Sequence, residues 1–212
     1  MDRKRFIASS MGLLSGSILG LHGKIVPNSA TSSMLIPKRP QEGDKVAVIS
    51  PAAGLHDEAM KRQALNTVKQ LGFLPVEGKN LGATWGYLGG RDSERVKDLH
   101  DAFENPEIKA IIALRGGYGT SRLLPLIDFN LIRKNPKLFI GYSDITSLLM
   151  AIQQETGLIT FHGPNAKDQW SDFSLKAFKK VLNAKPGDVF DNPSTDPMQT
   201  LVRGSAEGLL VG

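Results

Sequence analysis

Apolar positions in this chain fall into two kinds of run. Short unbroken runs rich in valine and isoleucine occur at Lys45-Val46-Ala47-Val48-Ile49-Ser50, from Ile108 to Leu114 with Lys109 as the only interruption, and from Leu138 to Tyr142. Their length and β-branched content make them buried strands, the first closed by Pro51 and Gly54. Between them, apolar residues recur at helical spacing. Met60, Ala64, Leu65, Val68 and Leu71 share one helix face, with Asp57 placed to cap its start and Gly72 to end it. Asp92 is placed to cap a second helix that carries Val96, Leu99 and Phe103 on one side. Ser121 to Leu126 reads as a short helix, Asp144 to Gln154 as a longer one, and Phe73 to Val76 and Ile159 to Phe161 as brief strands.

This alternation of strand and helix, beginning near Gly43 and running over 43–182, specifies an α/β fold. It is an open, mostly parallel sheet flanked by helices, of the flavodoxin or Rossmann kind. In such sheets ligands bind at the carboxyl ends of the strands. Pro186, Gly187, Asn192, Pro193, Ser194 and Pro197 give 183–200 the character of a linker, and 201–212 reads as the truncated start of a β-rich second domain. A dozen such residues bury no core of their own.

Charge and composition change the picture only at the N-terminus. Arg3, Lys4, Arg5 and Lys24 against Asp2 give 1–33 a net +3 of the chain's +5, leaving +2 elsewhere. That small residue asks for no nucleic-acid partner. Arg3-Lys4-Arg5 precedes an apolar, small-residue stretch from Phe6 to Leu21, the order expected of a secretory signal peptide. Arg3-Lys4-Arg5-Phe6-Ile7 is twin-arginine-like, with lysine in place of the second arginine. The alternative is an uncleaved anchor, so any membrane contact is through the leader, and the folded part is expected in the periplasm or outside the cell. The chain has no cysteine, which excludes disulfides and thiol catalysis.

Two motifs carry candidate chemistry. Ser143, in Gly141-Tyr142-Ser143-Asp144, lies between a strand and a helix, where a serine can be presented as a nucleophile or can simply cap the helix. Ile145 stands where the usual Gly-x-Ser-x-Gly elbow has its second glycine. Arg115-Gly116-Gly117-Tyr118-Gly119 follows the second strong strand, and its N–H groups suit an anion or an oxyanion. It lacks the spacing and the Lys-Ser/Thr ending of nucleotide loops. Five glycines between Gly78 and Gly90 surround Trp85 and Tyr87, a loop that either closes over a ligand or tucks its aromatics against the core.

Taken in order, Arg115 to Leu124, Asp128, Gly141-Tyr142-Ser143-Asp144 and Phe161-His162-Gly163-Pro164 resemble the serine LD-carboxypeptidase family, the muramoyltetrapeptide carboxypeptidases and their self-immunity relatives. Val48-Ile49-Ser50-Pro51-Ala52 resembles the family's opening strand and loop, and Ala206 to Gly212 the entry to its second domain. The resemblance implies Ser143 as nucleophile, the backbone amides of Gly117 and Asp144 as oxyanion hole, and a murein tetrapeptide that loses its terminal D-alanine as substrate; Arg115 and Gly116 of the glycine turn and Trp85 of the aromatic loop are the candidate contacts to it. It implies no metal and no organic cofactor, and it allows a homodimer. The activating histidine and its glutamate are expected in the second domain, outside these 212 residues. His162, at the end of a neighbouring strand, is the one rival base within the chain. Without a base the chain reads as inactive, or as a non-catalytic muropeptide-binding module.

Overall fold

The computed structural model describes residues 34–55, 57–185, 188–190 and 204. The leader at 1–33, most of the linker and nearly all of 201–212 lie outside the described residues. Elements follow in the order β1 (Lys45–Ile49), α1 (Glu58–Gln70), β2 (Leu74–Glu77), α2 (Asp92–Glu104), β3 (Ile108–Ala113), α3 (Phe129–Lys134), β4 (Leu138–Gly141), α4 (Thr146–Thr156), β5 (Phe161–His162) and α5 (Asp172–Leu182). All strand pairings are parallel, in the order β2-β1-β3-β4-β5. In this strand order the chain reverses direction across the sheet between β1 and β3, and the crevice outside their carboxyl ends is the expected ligand position.

The unbroken apolar runs exist because the strands are buried on both faces. Ala47, Ile49, Ile111, Ala113 and Phe139 pack with Val96, Leu99 and Phe103 of α2, Ile132 of α3, and Leu148 and Ile152 of α4. Val46, Val48, Ala110, Ile112, Leu138 and Ile140 point the other way, toward Ala64 and Val68 of α1 and Phe178 of α5. Alternate residues of each strand thus serve opposite layers, as the pleat requires. Lys109 is the exception: the β1–β3 register slips between Lys45 and Val46, and that irregularity turns Lys109 out to solvent.

Several boundaries differ from the pattern reading. Ordered packing starts before Gly43: the Leu35 N–H donates to Gly157 O at 2.9 Å, and the Ile159 N–H donates to Leu35 O at 3.0 Å. This gives Leu35 a sheet-like anchor and a place against the core. Ser121 to Leu126 is two successive 3₁₀ turns, Thr120–Arg122 and Leu124–Leu126, because Pro125 removes a donor from the middle. The helix after Ser143 opens with a 3₁₀ turn over Ser143–Ile145 and becomes α-helical at Thr146. Asp57 caps α1 as expected, accepting from the Met60 N–H at 2.7 Å. Asp92 does not cap α2. The cap position is Arg91, whose own N–H is taken by Glu94 Oε2 at 2.7 Å, and Asp92 is drawn away to two arginines. Neither α3 nor α5 is placed by the pattern reading.

Lys137, just before β4, is only 8% exposed and donates to Ala102 O at 2.9 Å and to Asn105 O, carbonyls at the end of α2. Burial, with a smaller contribution from Lys109, lowers its ammonium to about 8. An unfolded lysine titrates near ~10.4. Between those values the unfolded chain binds more protons than the folded one, so stability rises with pH through that window. Below it the cost of the buried charge is fully present. The melting temperature of the wild type relative to Lys137→Met is therefore expected to climb from about pH 7.5 to about pH 10. A difference that stays constant over that range would contradict the burial argument.

Candidate active site

Four strand ends deliver the candidate residues to one edge of the sheet. The loop after β1 brings Pro51 to Gly54, the loop after β3 brings Arg115 to Gly119, β4 leads into Tyr142 and Ser143, and β5 leads into Gly163 to Asn165. Ser143 is solvent-exposed and has φ of 65°, the only positive value at a non-glycine among the described residues. For an L-residue this left-handed conformation costs about 1–2 kcal/mol. The core supplies the compensation: β4 is completely buried on one side of the serine, and on the other Ile145 has no exposure at all. That burial explains why isoleucine stands where an elbow usually has its second glycine.

Gly116 is where the two motifs meet. A Cβ added there would lie 2.7 Å from the Ser143 Cβ and 2.9 Å from its Oγ, so only glycine lets the turn pass so close to the hydroxyl. Gly117 has φ of 133°, and a Cβ there would strike the Ala53 Cβ at 2.6 Å. The structure therefore brings Ser143, Gly116, Gly117 and Asp144 together as the sequence reading expects. Among the described residues, neither the Gly117 nor the Asp144 N–H is spent on another acceptor. For Asp144 this follows from its place at the start of a helical turn, where N–H groups have no partner within the helix.

Other groups at this edge fix the turns. Thr120, wholly buried, donates its N–H to Asp144 Oδ2 at 3.0 Å and its hydroxyl to Asp144 O at 2.6 Å. Asn165, 1% exposed, accepts from the Tyr142 N–H through Oδ1 at 3.3 Å. Arg95, 1% exposed, reaches from α2 to donate from Nη1 to Pro51 O at 2.5 Å and to Gly119 O at 3.1 Å. These three residues escape sequence reasoning. Arg95 sits one position from the apolar stripe of an amphipathic helix, and nothing local marks it as buried.

Trp85 and Tyr87 do not tuck against the core; they are 50% and 70% exposed. Their loop is held at both ends. Asn80 donates to the Asp98 carboxylate at 2.8 and 2.9 Å, and the Gly89 N–H donates to Ala52 O at 2.8 Å. The tip lies beside the Arg115 turn: Tyr87 meets Tyr118 edge-on with centroids 6.0 Å apart, and the Arg122 guanidinium stands 6.0 Å from the Trp85 ring centre. Arg115 is half-buried at the start of its turn. His162 is exposed and meets the Tyr142 ring edge-on at 6.1 Å. Among the described residues no hydrogen bond joins it to Ser143. The described residues also hold no cluster of side chains suited to a metal ion.

Asp92 organises the charges behind this edge. It binds Arg95 Nη2 at 2.5 Å and is gripped by Arg122 through Nη2 at 2.7 Å and Nε at 3.1 Å. Hydrogen bonding from Arg122 holds its carboxyl below the usual carboxylate range, against an opposing effect of burial and with help from Arg95. The stabilisation is thus present above the unfolded carboxylate value of about 4 and is lost as pH falls below it. Asp92→Asn leaves the buried Arg95 charge uncompensated, which is expected to cost about 3 kcal/mol at neutral pH. The gap between variant and wild type, read by denaturant titration, closes as the pH is taken down from about 4. A gap independent of pH would contradict the pairing. Ser143→Gly relieves the left-handed strain, and it is expected to be more stable than Ser143→Ala by about 1 kcal/mol. Equal stability of the two would mean that no strain is stored there.

Residues 46–163, more than half of the chain, match the family model described as the LD-carboxypeptidase N-terminal domain. The probable murein peptide carboxypeptidase of Bacillus subtilis is 43% identical over 182 residues, 83% of this chain and 56% of that protein. The solved structure of an MccF-like protein from Bacillus anthracis superposes with a TM-score of 0.66 at 35% identity, over 70% of this chain and 47% of its own. That of muramoyltetrapeptide carboxypeptidase from Oxalobacter formigenes does so with a TM-score of 0.60 at 31% identity, over 66% and 48%. The chain spans about half the length of the relatives it matches. With the strand order, the serine turn and the glycine turn all in the matched segment, the chain belongs to the LD-carboxypeptidase family.

Proposed function

We propose that this chain is the nucleophile-bearing part of an exported serine LD-carboxypeptidase that removes the terminal D-alanine from a murein tetrapeptide. The observation that carries the reading is the left-handed Ser143 backbone, which sets the hydroxyl against a glycine where a Cβ would fall 2.9 Å from Oγ. A strained, exposed serine at the carboxyl edge of a parallel sheet is stability given up for presentation. Its Oγ attacks the carbonyl of the L-configured residue, and the amides of Gly117 and Asp144 receive the oxyanion. D-alanine then departs as the amine leaving group, and water hydrolyses the serine ester. Arg115, Gly116 and the exposed Trp85 are assigned to holding the peptide.

The serine needs a base to be nucleophilic. A histidine oriented by a glutamate in a second domain is the proposed source, in keeping with the greater length of the relatives. A leader at 1–33 is the proposed means of export; among the described residues no helix is long and apolar enough to cross a membrane. One observation favours a second reading, a muropeptide-binding module without catalysis: no described side chain is hydrogen-bonded to Ser143.

Release of D-alanine from murein tetrapeptide by the complete gene product separates the two. The catalytic reading expects saturable release that Ser143→Ala lowers by at least ~10³-fold. Release that survives Ser143→Ala would remove the nucleophile assignment. Tetrapeptide binding in a calorimeter with no release at all would favour the binding module.

A further inference from the structure

Thr120 and the Asp144 carboxylate form a link that the proposed reaction does not call on. The Thr120 N–H donates to Asp144 Oδ2 at 3.0 Å. Its Oγ1 lies 2.6 Å from Asp144 O and 2.6 Å from Ser147 Oγ, and Ser147 Oγ is 3.0 Å from the same carbonyl. Two hydroxyl protons are shared among these three contacts, and both hydroxyls reach the Asp144 carbonyl: Thr120 and Ser147 each lie within donating distance of that oxygen and of one another. On the other side, Arg95 Nη1 holds Gly119 O at 3.1 Å. The end of the glycine turn is therefore fixed in two directions, one of them directly onto the residue that follows Ser143.

We propose that Thr120 is a positioning residue for the oxyanion site. Through the Asp144 carboxylate and carbonyl, it sets the separation between the amides of Gly117 and Asp144 before substrate arrives. The proposal rests on the reading of Ser143 as nucleophile. It makes the Asp144 carboxylate a strut rather than an acid, a base or a substrate ligand, since Oδ2 is already engaged by Thr120. Oxyanion donors act because they are in place when charge develops, and a displacement of about 1 Å in such a group costs on the order of 10²-fold in rate. Thr120, with no exposed surface, has little else to do with substrate.

The test uses the complete gene product and D-alanine release. Thr120→Val keeps the volume and the N–H but removes the hydroxyl, and Thr120→Ser keeps the hydroxyl. Thr120→Val is expected to lower kcat by roughly 10–100-fold while KM changes less than about twofold, because the lost interaction acts in the transition state. Thr120→Ser is expected to restore kcat. A Thr120→Val protein with wild-type kcat, a loss carried by KM, or a Thr120→Ser protein as impaired as Thr120→Val would each overturn the proposal. Where Thr120→Val fails to fold, Ser147→Ala removes the hydroxyl that shares the Asp144 carbonyl with Thr120; a several-fold lower kcat at unchanged KM supports the proposal, and wild-type kcat contradicts it. If the wild type releases no D-alanine, the functional reading has failed separately. Amide hydrogen exchange then decides on the link: faster exchange of the Thr120 amide, which is bonded to Asp144 Oδ2, in Thr120→Val but not in Thr120→Ser supports it, and equal protection in both removes it.

Discussion

The backbone of Ser143 occupies the left-handed region, and the surrounding structure is arranged to hold it there. A single non-glycine residue in that conformation gives up about 1–2 kcal/mol. Buried β4 enters it from one side, and the buried Ile145 leaves on the other. Gly116 passes close enough that no side chain fits at its own position, and Asn165 and the Thr120 hydroxyl fasten the neighbouring peptide groups of Tyr142 and Asp144. Release any of these and the serine has a cheaper conformation available, with its hydroxyl aimed elsewhere. Presentation of the hydroxyl and rigidity of the sheet edge are thus one property.

The same logic explains why charge is buried so near the site. Arg95 crosses from α2 to hold carbonyls of two different loops, Pro51 O and Gly119 O, with Asp92 neutralising it and Arg122 completing the group. An apolar residue would fill the volume but would leave both carbonyls without a donor, at about 1–3 kcal/mol each. The loops after β1 and β3 flank the point where the strand order reverses, which is where this fold places ligands. A buried guanidinium with several donors is a compact way to set their separation.

What could be read from the sequence follows from how local each signal is. Strands β1, β3 and β4 were legible because burial on both faces writes continuous apolar runs, and the two glycine- and serine-containing turns because their residue types are tied to backbone geometry. Asp92 shows the limit. Its position before an apolar stripe says helix cap, yet its partner Arg122 is thirty residues away, and a contact of that kind leaves no local trace. Thr120 and Asn165 were illegible for the same reason. The segment from Asp172 to Leu182 does carry a capping serine, Ser171, and Leu175, Phe178 and Leu182 at helical spacing, a signal the pattern reading passes over. α3, with six residues, is too short for periodicity to declare it.

The account stands on Ser143 forming a covalent bond with substrate. The direct measurement is acid quenching of the complete gene product during turnover of murein tetrapeptide, followed by intact mass and peptide mapping. The account predicts a mass increase equal to the tetrapeptide less its terminal D-alanine, located on the peptide containing Ser143. Turnover with no acyl-serine at any quench time, or an adduct on another residue, would contradict it.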